Sequence, residues 1–238
     1  MKLLEEMSWP EIEKGFEQTR TVILPVGATE EHGPHLPTIT DTIQALEVAR
    51  AAAKQRDVFL APPLHYGVCR STRGFPGTIT VGHDALRAYA KDLLISFADS
   101  GFAKVLILTG HAGGLHMAAL EEACQMAVEE REFRVSLVSL FDLIDFKTVE
   151  TPGDGHAGEV ETSLMMVIRK DLVKGRPEKH FPIRPRFLIQ KDVRHLMGNG
   201  IMGNPRPASI EKGKAFFEMA VQGVIGALEE LETFSGKK

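Results

Sequence analysis

Short runs rich in β-branched residues alternate along this chain with long stretches of helical periodicity, and the alternation sets the fold class. Thr21 to Val26, Val58 to Ala61, Lys104 to Leu108 and Arg134 to Leu140 read as buried strands. Thr42 to Gln55, Asp84 to Ser100, Gly114 to Glu130, Glu159 to Ile168 and Ile210 to Glu232 carry apolar residues at three- and four-residue spacing and read as helices. Such an order predicts an α/β protein with a mostly parallel sheet covered on both faces. With 238 residues, 43% of them hydrophobic, the chain can bury one sizeable core but not two comfortable ones, so residues 1–238 are expected to form a single domain.

In sheets of this kind ligands collect beyond the carboxyl ends of the strands. Three loops fall there: Gly27 to Thr40, Gly110 to Gly113 and Gly153 to Gly158. The first contains Glu30-Glu31-His32-Gly33-Pro34-His35 and leads to Asp41, a dense set of nitrogen and oxygen donors of the kind Zn, Mn and Fe(II) accept. In extended chain Glu30 and His32 point to the same side, while Glu31 and His35 point away, which suits Glu31 to orienting a ligand rather than binding metal. Asp41 or Thr40 also reads as a helix N-cap, but so many donors so close together favour a metal.

His111 ends the run Val105-Leu106-Ile107-Leu108-Thr109-Gly110 and is the natural next ligand. The glycines around it could instead cradle a phosphate, yet the GxGxxG order and the Walker lysine are missing. A third cluster, His156-Ala157-Gly158-Glu159-Val160-Glu161-Thr162-Ser163, opens a helix. Acidic residues in a first turn can merely complement the helix dipole, but Glu161 lies near the apolar stripe and needs a partner that a cation would provide.

Only Cys69 and Cys124 are present, without a CxxC pair, so the metal is expected to be held by His, Asp and Glu. Cys69 beside Arg70 and Arg73 also raises a competing reading as a thiol nucleophile. The same arginines could capture a phosphate or carboxylate on the substrate, or simply be solvated. A net charge of -4 and the absence of basic clusters exclude a nucleic-acid or anionic-membrane footprint and point to small-molecule chemistry. No apolar run is long enough to span a bilayer and the first residues do not resemble a signal peptide, so a cytoplasmic location is expected. Arg176 to Pro207, rich in Pro, Gly and Arg, is the one long irregular stretch, a lid or an oligomer contact.

Taken together, Leu24-Pro25-Val26-Gly27-Ala28-Thr29-Glu30-Glu31-His32-Gly33-Pro34-His35-Leu36-Pro37 with Asp41, Phe75-Pro76-Gly77-Thr78-Ile79, Thr109-Gly110-His111-Ala112-Gly113-Gly114, the His156 cluster and Gly200-Ile201-Met202-Gly203-Asn204-Pro205 resemble the creatininase (creatinine amidohydrolase) family over most of the chain. The resemblance implies a three-layer α/β/α domain and a site for two divalent ions (Zn, Mn or Fe). It further implies hydrolysis of a carbon–nitrogen bond in a cyclic amide, formamide or related small molecule, and homo-oligomers, commonly hexamers. Carried over by position, Glu30, His32, Asp41, His111 and Glu161 are metal ligands, with Asp41 bridging. His156 handles protons at the substrate, with Glu161 beside it as a further catalytic candidate. Apart from that carry-over, Arg70, Arg73, Thr78 and Gly113 are the candidate substrate contacts.

The chain departs from that pattern in two ways. Gly113 stands where creatininase has a further ligand Glu, and Leu115-His116 where an Asn usually closes the glycine loop. The aromatic flap of a creatinine enzyme is also missing, since the only Trp is Trp9, so creatinine is not the favoured substrate. A deformylase acting on a formylated, ribosylated pyrimidine phosphate is the leading candidate. A non-catalytic binder on the same scaffold and a peptidase that trims a short peptide during cofactor maturation are the alternatives.

Overall fold

The computed structural model describes residues 1–183, 188–191 and 193–234. Strands β1 (Lys2–Leu3), β2 (Thr21–Val26), β3 (Phe59–Leu60), β4 (Lys104–Thr109) and β5 (Arg134–Ser139) alternate with helices α1 (Trp9–Gly15), α2 (Thr40–Arg56), α3 (His83–Asp99) and α4 (Gly114–Glu130). Helices α5 (Glu159–Ile168) and α6 (Ile210–Thr233) follow. The strands form one sheet in the order β1-β3-β2-β4-β5, and every pairing between them is parallel. β2 and β4 lie side by side along their whole length, Thr21 opposite Lys104 and Val26 opposite Thr109.

Side-chain alternation divides the core into two apolar layers. Ile23, Leu106 and Leu108 pack on one face with Ala45, Val48 and Ala52 of α2, Leu164 of α5 and Phe216 and Val224 of α6. Val22, Leu24, Val105 and Ile107 pack on the other with Leu86 and Leu94 of α3 and Leu120 and Ala123 of α4. The chain is therefore an α/β/α sandwich, with central strands apolar on both sides as parallel strands must be. No helix among the described residues is long and apolar enough to cross a membrane.

Two elements escaped sequence reading. β1 has only two residues, too few to show a period. α1 has seven and is set by local chemistry instead, a reciprocal capping box between Ser8 and Glu11 with Pro10 in its first turn. Strand β3 is also shorter than the expected Val58 to Ala61, pairing only through Phe59 and Leu60.

The topology dictates where a site forms. From the adjacent strands β2 and β4 the chain leaves toward opposite faces, through α2 on one side and α4 on the other, which opens a crevice at their carboxyl ends. The first turn of α2 is pressed onto those strand ends. A Cβ on Gly110 would come within 2.1 Å of the Asp41 carbonyl oxygen, so only glycine lets Asp41 sit there. The irregular stretch Arg176 to Pro207 folds back on the His156 loop, with Met202 N–H donating to the His156 carbonyl at 2.8 Å and Gly155 N–H donating to the Met202 carbonyl at 2.9 Å. Residues 184–187 and 192 of that stretch, and with them part of the expected lid or oligomer contact, lie outside the described residues.

Candidate metal centre

Asp41 occupies the first turn of α2, whose N-cap residue is Ile39, so the carboxylate is not used as a helix cap. Its two oxygens face different imidazoles. Oδ1 lies 2.8 Å from His32 Nε2, and Oδ2 lies 3.2 Å from His111 Nδ1. Glu161 Oε1 approaches His32 Nε2 at 3.6 Å, and Glu30 Oε2 approaches His111 Nδ1 at 3.0 Å. The loop after β2, the loop after β4 and the start of α5 thus bring Glu30, His32, Asp41, His111 and Glu161 together, all of them buried.

Backbone carbonyls orient the rings. His32 Nδ1 lies 3.0 Å from the Glu30 carbonyl and His111 Nε2 lies 3.1 Å from the Val68 carbonyl. Each ring nitrogen facing a carbonyl must carry the proton, so the neutral ring presents the other nitrogen's lone pair to the carboxylates. This is the arrangement that prepares a histidine to hold a metal.

Neither Glu30 Oε2 nor Asp41 Oδ2 makes a hydrogen bond among the described residues, although both are buried. Among the described residues no Lys or Arg forms an ion pair with Glu30, Asp41 or Glu161 either; their near neighbours are imidazoles. Three buried carboxylates without a fixed cation are costly, and divalent ions would remove that cost. Groups of three donors lie within 4.8 Å of one another in three combinations: Glu30, Cys69 and His111; Glu30, His32 and His156; and His32, Asp41 and Glu161. The donor set fits divalent cations.

Electrostatics agree with that fit. Burial opposes charging His32, but Asp41 and then Glu161 outweigh it and raise its pKa well above the ordinary value. His111 is raised in the same way, burial being overcome by Glu30 and Asp41. Burial likewise pushes the Glu30 carboxyl up, yet His111 and His156 win and bring it down to about 2. The site demands positive charge, which protons supply only in the absence of metal.

His156 stands beside this centre. Its Nε2 lies 2.6 Å from the Glu31 carbonyl, its Nδ1 is 4.0 Å from Glu30 Oε2, and its ring is 4.3 Å from that of His32. Glu31 accepts from the Gly33 N–H at 2.8 Å and lies 3.5 Å from His156 Nε2 through its carboxylate, so it orients rather than binds. Thr78 Oγ1 accepts the Glu31 N–H at 2.9 Å, which makes it a support for the loop and keeps it out of the cavity wall.

Several supports carry no sequence signal of their own. Thr72 donates its hydroxyl to Glu30 Oε1, and the Ala157 N–H donates to Glu161 Oε2. His116 is fully buried 4.8 Å from the His111 ring, where its Nδ1 accepts from the Val68 N–H at 3.3 Å and its Nε2 donates to Thr109 Oγ1 at 3.2 Å. Asp154, also buried, accepts from the N–H groups of Glu159 and Val160 at 2.9 and 3.0 Å and so anchors the start of α5. A threonine or histidine acting through one hydrogen bond across the fold leaves no pattern to read.

A cavity of about 400 Å³ opens over the centre. Glu30, Asp41, His111, His156 and Glu161 form its inner wall, and Arg70, Gly113, Leu115, Phe141 and Met202 its outer part. Arg70 makes no ion pair or hydrogen bond among the described residues. Arg73 is not part of the cavity wall and donates to the Lys191 carbonyl instead. Exposed His65 and Tyr66 are likewise absent from the wall. The Cys69 thiol is fully buried and pushed up in pKa by burial and then by Glu30 and Asp41, so the nucleophile reading has no support.

Comparison with known proteins agrees with this geometry. A family model described as creatininase, creatinine amidohydrolase, matches residues 5–228. The mycofactocin precursor peptide peptidase of Mycolicibacterium smegmatis is 32% identical over 217 residues, covering 85% of this chain and 81% of the relative. The creatinine amidohydrolase of Pseudomonas putida is 27% identical, covering 94% and 95%. A solved mutant creatininase superposes with a TM-score of 0.88 at 25% identity, covering 96% of this chain and 98% of that one. Sheet order, site and these likenesses converge: the chain belongs to the creatininase family.

Proposed function

We propose that this chain is a metal-dependent amidohydrolase that cleaves a carbon–nitrogen bond, in an amide, cyclic amide or formamide, of a small anionic molecule. The observation that carries the reading is the split allegiance of Asp41, one oxygen toward His32 and the other toward His111. Glu30, Asp41 and His111 would hold one divalent ion, and His32, Asp41 and Glu161 a second. Such ions, Zn, Mn or Fe, supply Lewis acidity toward a carbonyl and lower the pKa of water.

The protein's own groups divide the remaining work. Carbonyl acceptors and Thr72 fix the donor side chains before substrate arrives, which lowers the cost of organising them in the transition state. His156 holds a proton at Nδ1 on the cavity side, its Nε2 being committed to Glu31, and delivers it to the departing nitrogen. Burial and the neighbouring His32 oppose that charge, but Glu30, Glu31 and Glu161 outweigh them and raise the His156 pKa. Leu115, Phe141 and Met202 form an apolar rim that limits water.

Arg70 at the rim supports a phosphate or carboxylate on the substrate, and with it the formylated, ribosylated pyrimidine phosphate as the leading candidate. A peptidase reading is favoured by the likeness to the mycofactocin precursor peptide peptidase. Turnover assays on protein loaded with Zn or Mn separate these. Release of formate or ring opening, abolished by chelation, supports the proposal; cleavage of short peptides alone supports the peptidase. Binding of the small molecules with no turnover of any substrate would leave a non-catalytic binder.

A further inference from the structure

Position 113, two residues after His111, is glycine, and a side chain there would meet the His111 ring. A Cβ at position 113 would lie 2.6 Å from His111 Nε2, the nitrogen that donates to the Val68 carbonyl. Any larger residue must shift the ring that faces Glu30 and Asp41. The Val68 carbonyl that faces His111 Nε2 leads directly to Cys69, whose thiol lies beside the same ring.

Cys69 Sγ, a Glu30 carboxylate oxygen and a His111 ring nitrogen all lie within 4.8 Å of one another. The thiol is fully buried, in the segment that holds His111 through the Val68 carbonyl and His116 through the Val68 N–H. Its backbone is fixed by a 2.9 Å hydrogen bond from Cys69 N–H to Thr80 Oγ1. The sulfur's own contact is weak, 3.8 Å to the Gly67 carbonyl. On the other side of the group, Glu30 Oε2 is buried and without a hydrogen bond. A thiol with only a weak bond and a carboxylate oxygen with none among the described residues, both beside an oriented imidazole, suit a shared cation.

We propose that Cys69 is a metal ligand of the Glu30–His111 position. On binding, the metal–sulfur bond forms as the S–H bond breaks, and the thiol proton leaves to solvent. A thiolate, an imidazole and carboxylates select Zn or Fe(II) at that position over the harder Mn and Mg. This rests on the metal-centre reading above and narrows it. It also revises the expectation that only His, Asp and Glu hold the metal.

X-ray absorption on the zinc-loaded wild-type protein tests it without any variant. A sulfur shell at about 2.3 Å from zinc supports the proposal. Bound zinc with only nitrogen and oxygen neighbours overturns it while leaving the metal centre standing, whereas failure to bind zinc at all overturns both. Cobalt(II) substitution adds an optical readout: the wild-type protein and Cys124→Ala should show an intense near-ultraviolet sulfur-to-cobalt band that Cys69→Ser lacks. Persistence of that band in Cys69→Ser overturns the assignment. Zinc-over-manganese preference should fall about tenfold or more in the same variant.

Discussion

His156 Nε2 lies 2.6 Å from the carbonyl oxygen of Glu31, in the loop that also supplies Glu30 and His32. Because a carbonyl only accepts, that nitrogen keeps its proton, and Nδ1 alone can exchange one with the cavity. The contact ties the loop before α5 to the loop after β2, so His156 is positioned by the same backbone that positions the donor side chains.

His156→Gln should accordingly keep its metal and lose turnover. A 10²- to 10⁴-fold drop in kcat, about the contribution of a positioned acid or base, is expected with KM little changed. Steady-state kinetics with metal analysis of the same sample checks both parts. A kcat within threefold of wild type, on the order of 0.6 kcal/mol, would remove His156 from the mechanism.

Arg70 and Arg73 separate cleanly. Arg70→Ala should raise KM for a phosphorylated or carboxylated substrate by about 10- to 100-fold, the worth of a charge-assisted hydrogen bond, with kcat nearly unchanged. Arg73→Ala should alter neither, because Arg73 is outside the cavity wall. An equal effect of both substitutions would mean that charge at the mouth, rather than a specific contact, binds the anion.

How much of this was legible beforehand depends on whether the information is local. The alternation of Val22, Leu24 and Val26 against Ile23 lies within one segment and reads correctly as strand, and the dense donors between Glu30 and Asp41, also within one segment, are brought together by the fold. The roles of Thr72, His116 and Asp154 depend on partners at a distance in sequence, such as Glu30, 42 residues from Thr72. Cys69 carries no ligand signal in the sequence because thiolate sites are recognised by pairs of cysteines, whereas its neighbours here are a carboxylate and an imidazole from the loops after β2 and β4. Thr78 accepts the Glu31 N–H and Arg73 donates to the Lys191 carbonyl, contacts across the fold that no local pattern announces.

Gly110→Ala tests the close approach of α2 to the strand ends. With the new methyl 2.1 Å from the Asp41 carbonyl oxygen, the first turn of α2 must move. A loss of about 1 to 3 kcal/mol in unfolding free energy is expected from such overpacking. Chemical denaturation measures it, and metal content should fall in parallel because Asp41 moves with the helix. An unchanged denaturation midpoint would show that α2 is not seated as described.

Acid should destabilise the fold through two histidines outside the donor set. Burial, and then the charge of His111, lowers the His116 pKa to about 3, and burial followed by His32 and His156 lowers that of His35 to about 4. Both are below the unfolded value near 6.5, so the unfolded chain takes up the proton first. Their contribution is complete above about pH 6.5 and is lost as pH falls toward 4 and then 3. Between pH 6 and 4, His116→Asn should flatten the fall in unfolding free energy by up to about 1.4 kcal/mol per pH unit. A slope equal to that of wild type would mean that His116 titrates normally.

The central claim is that Glu30, His32, Asp41, His111 and Glu161 form one pocket for divalent ions, and calorimetric titration of the metal-free protein with zinc tests it most directly. Near-stoichiometric binding, up to two ions per chain, with release of protons from the imidazoles and loss of both sites in Asp41→Ala is the predicted result. No measurable uptake by the wild-type chain, or an unaltered isotherm in Asp41→Ala, would contradict it.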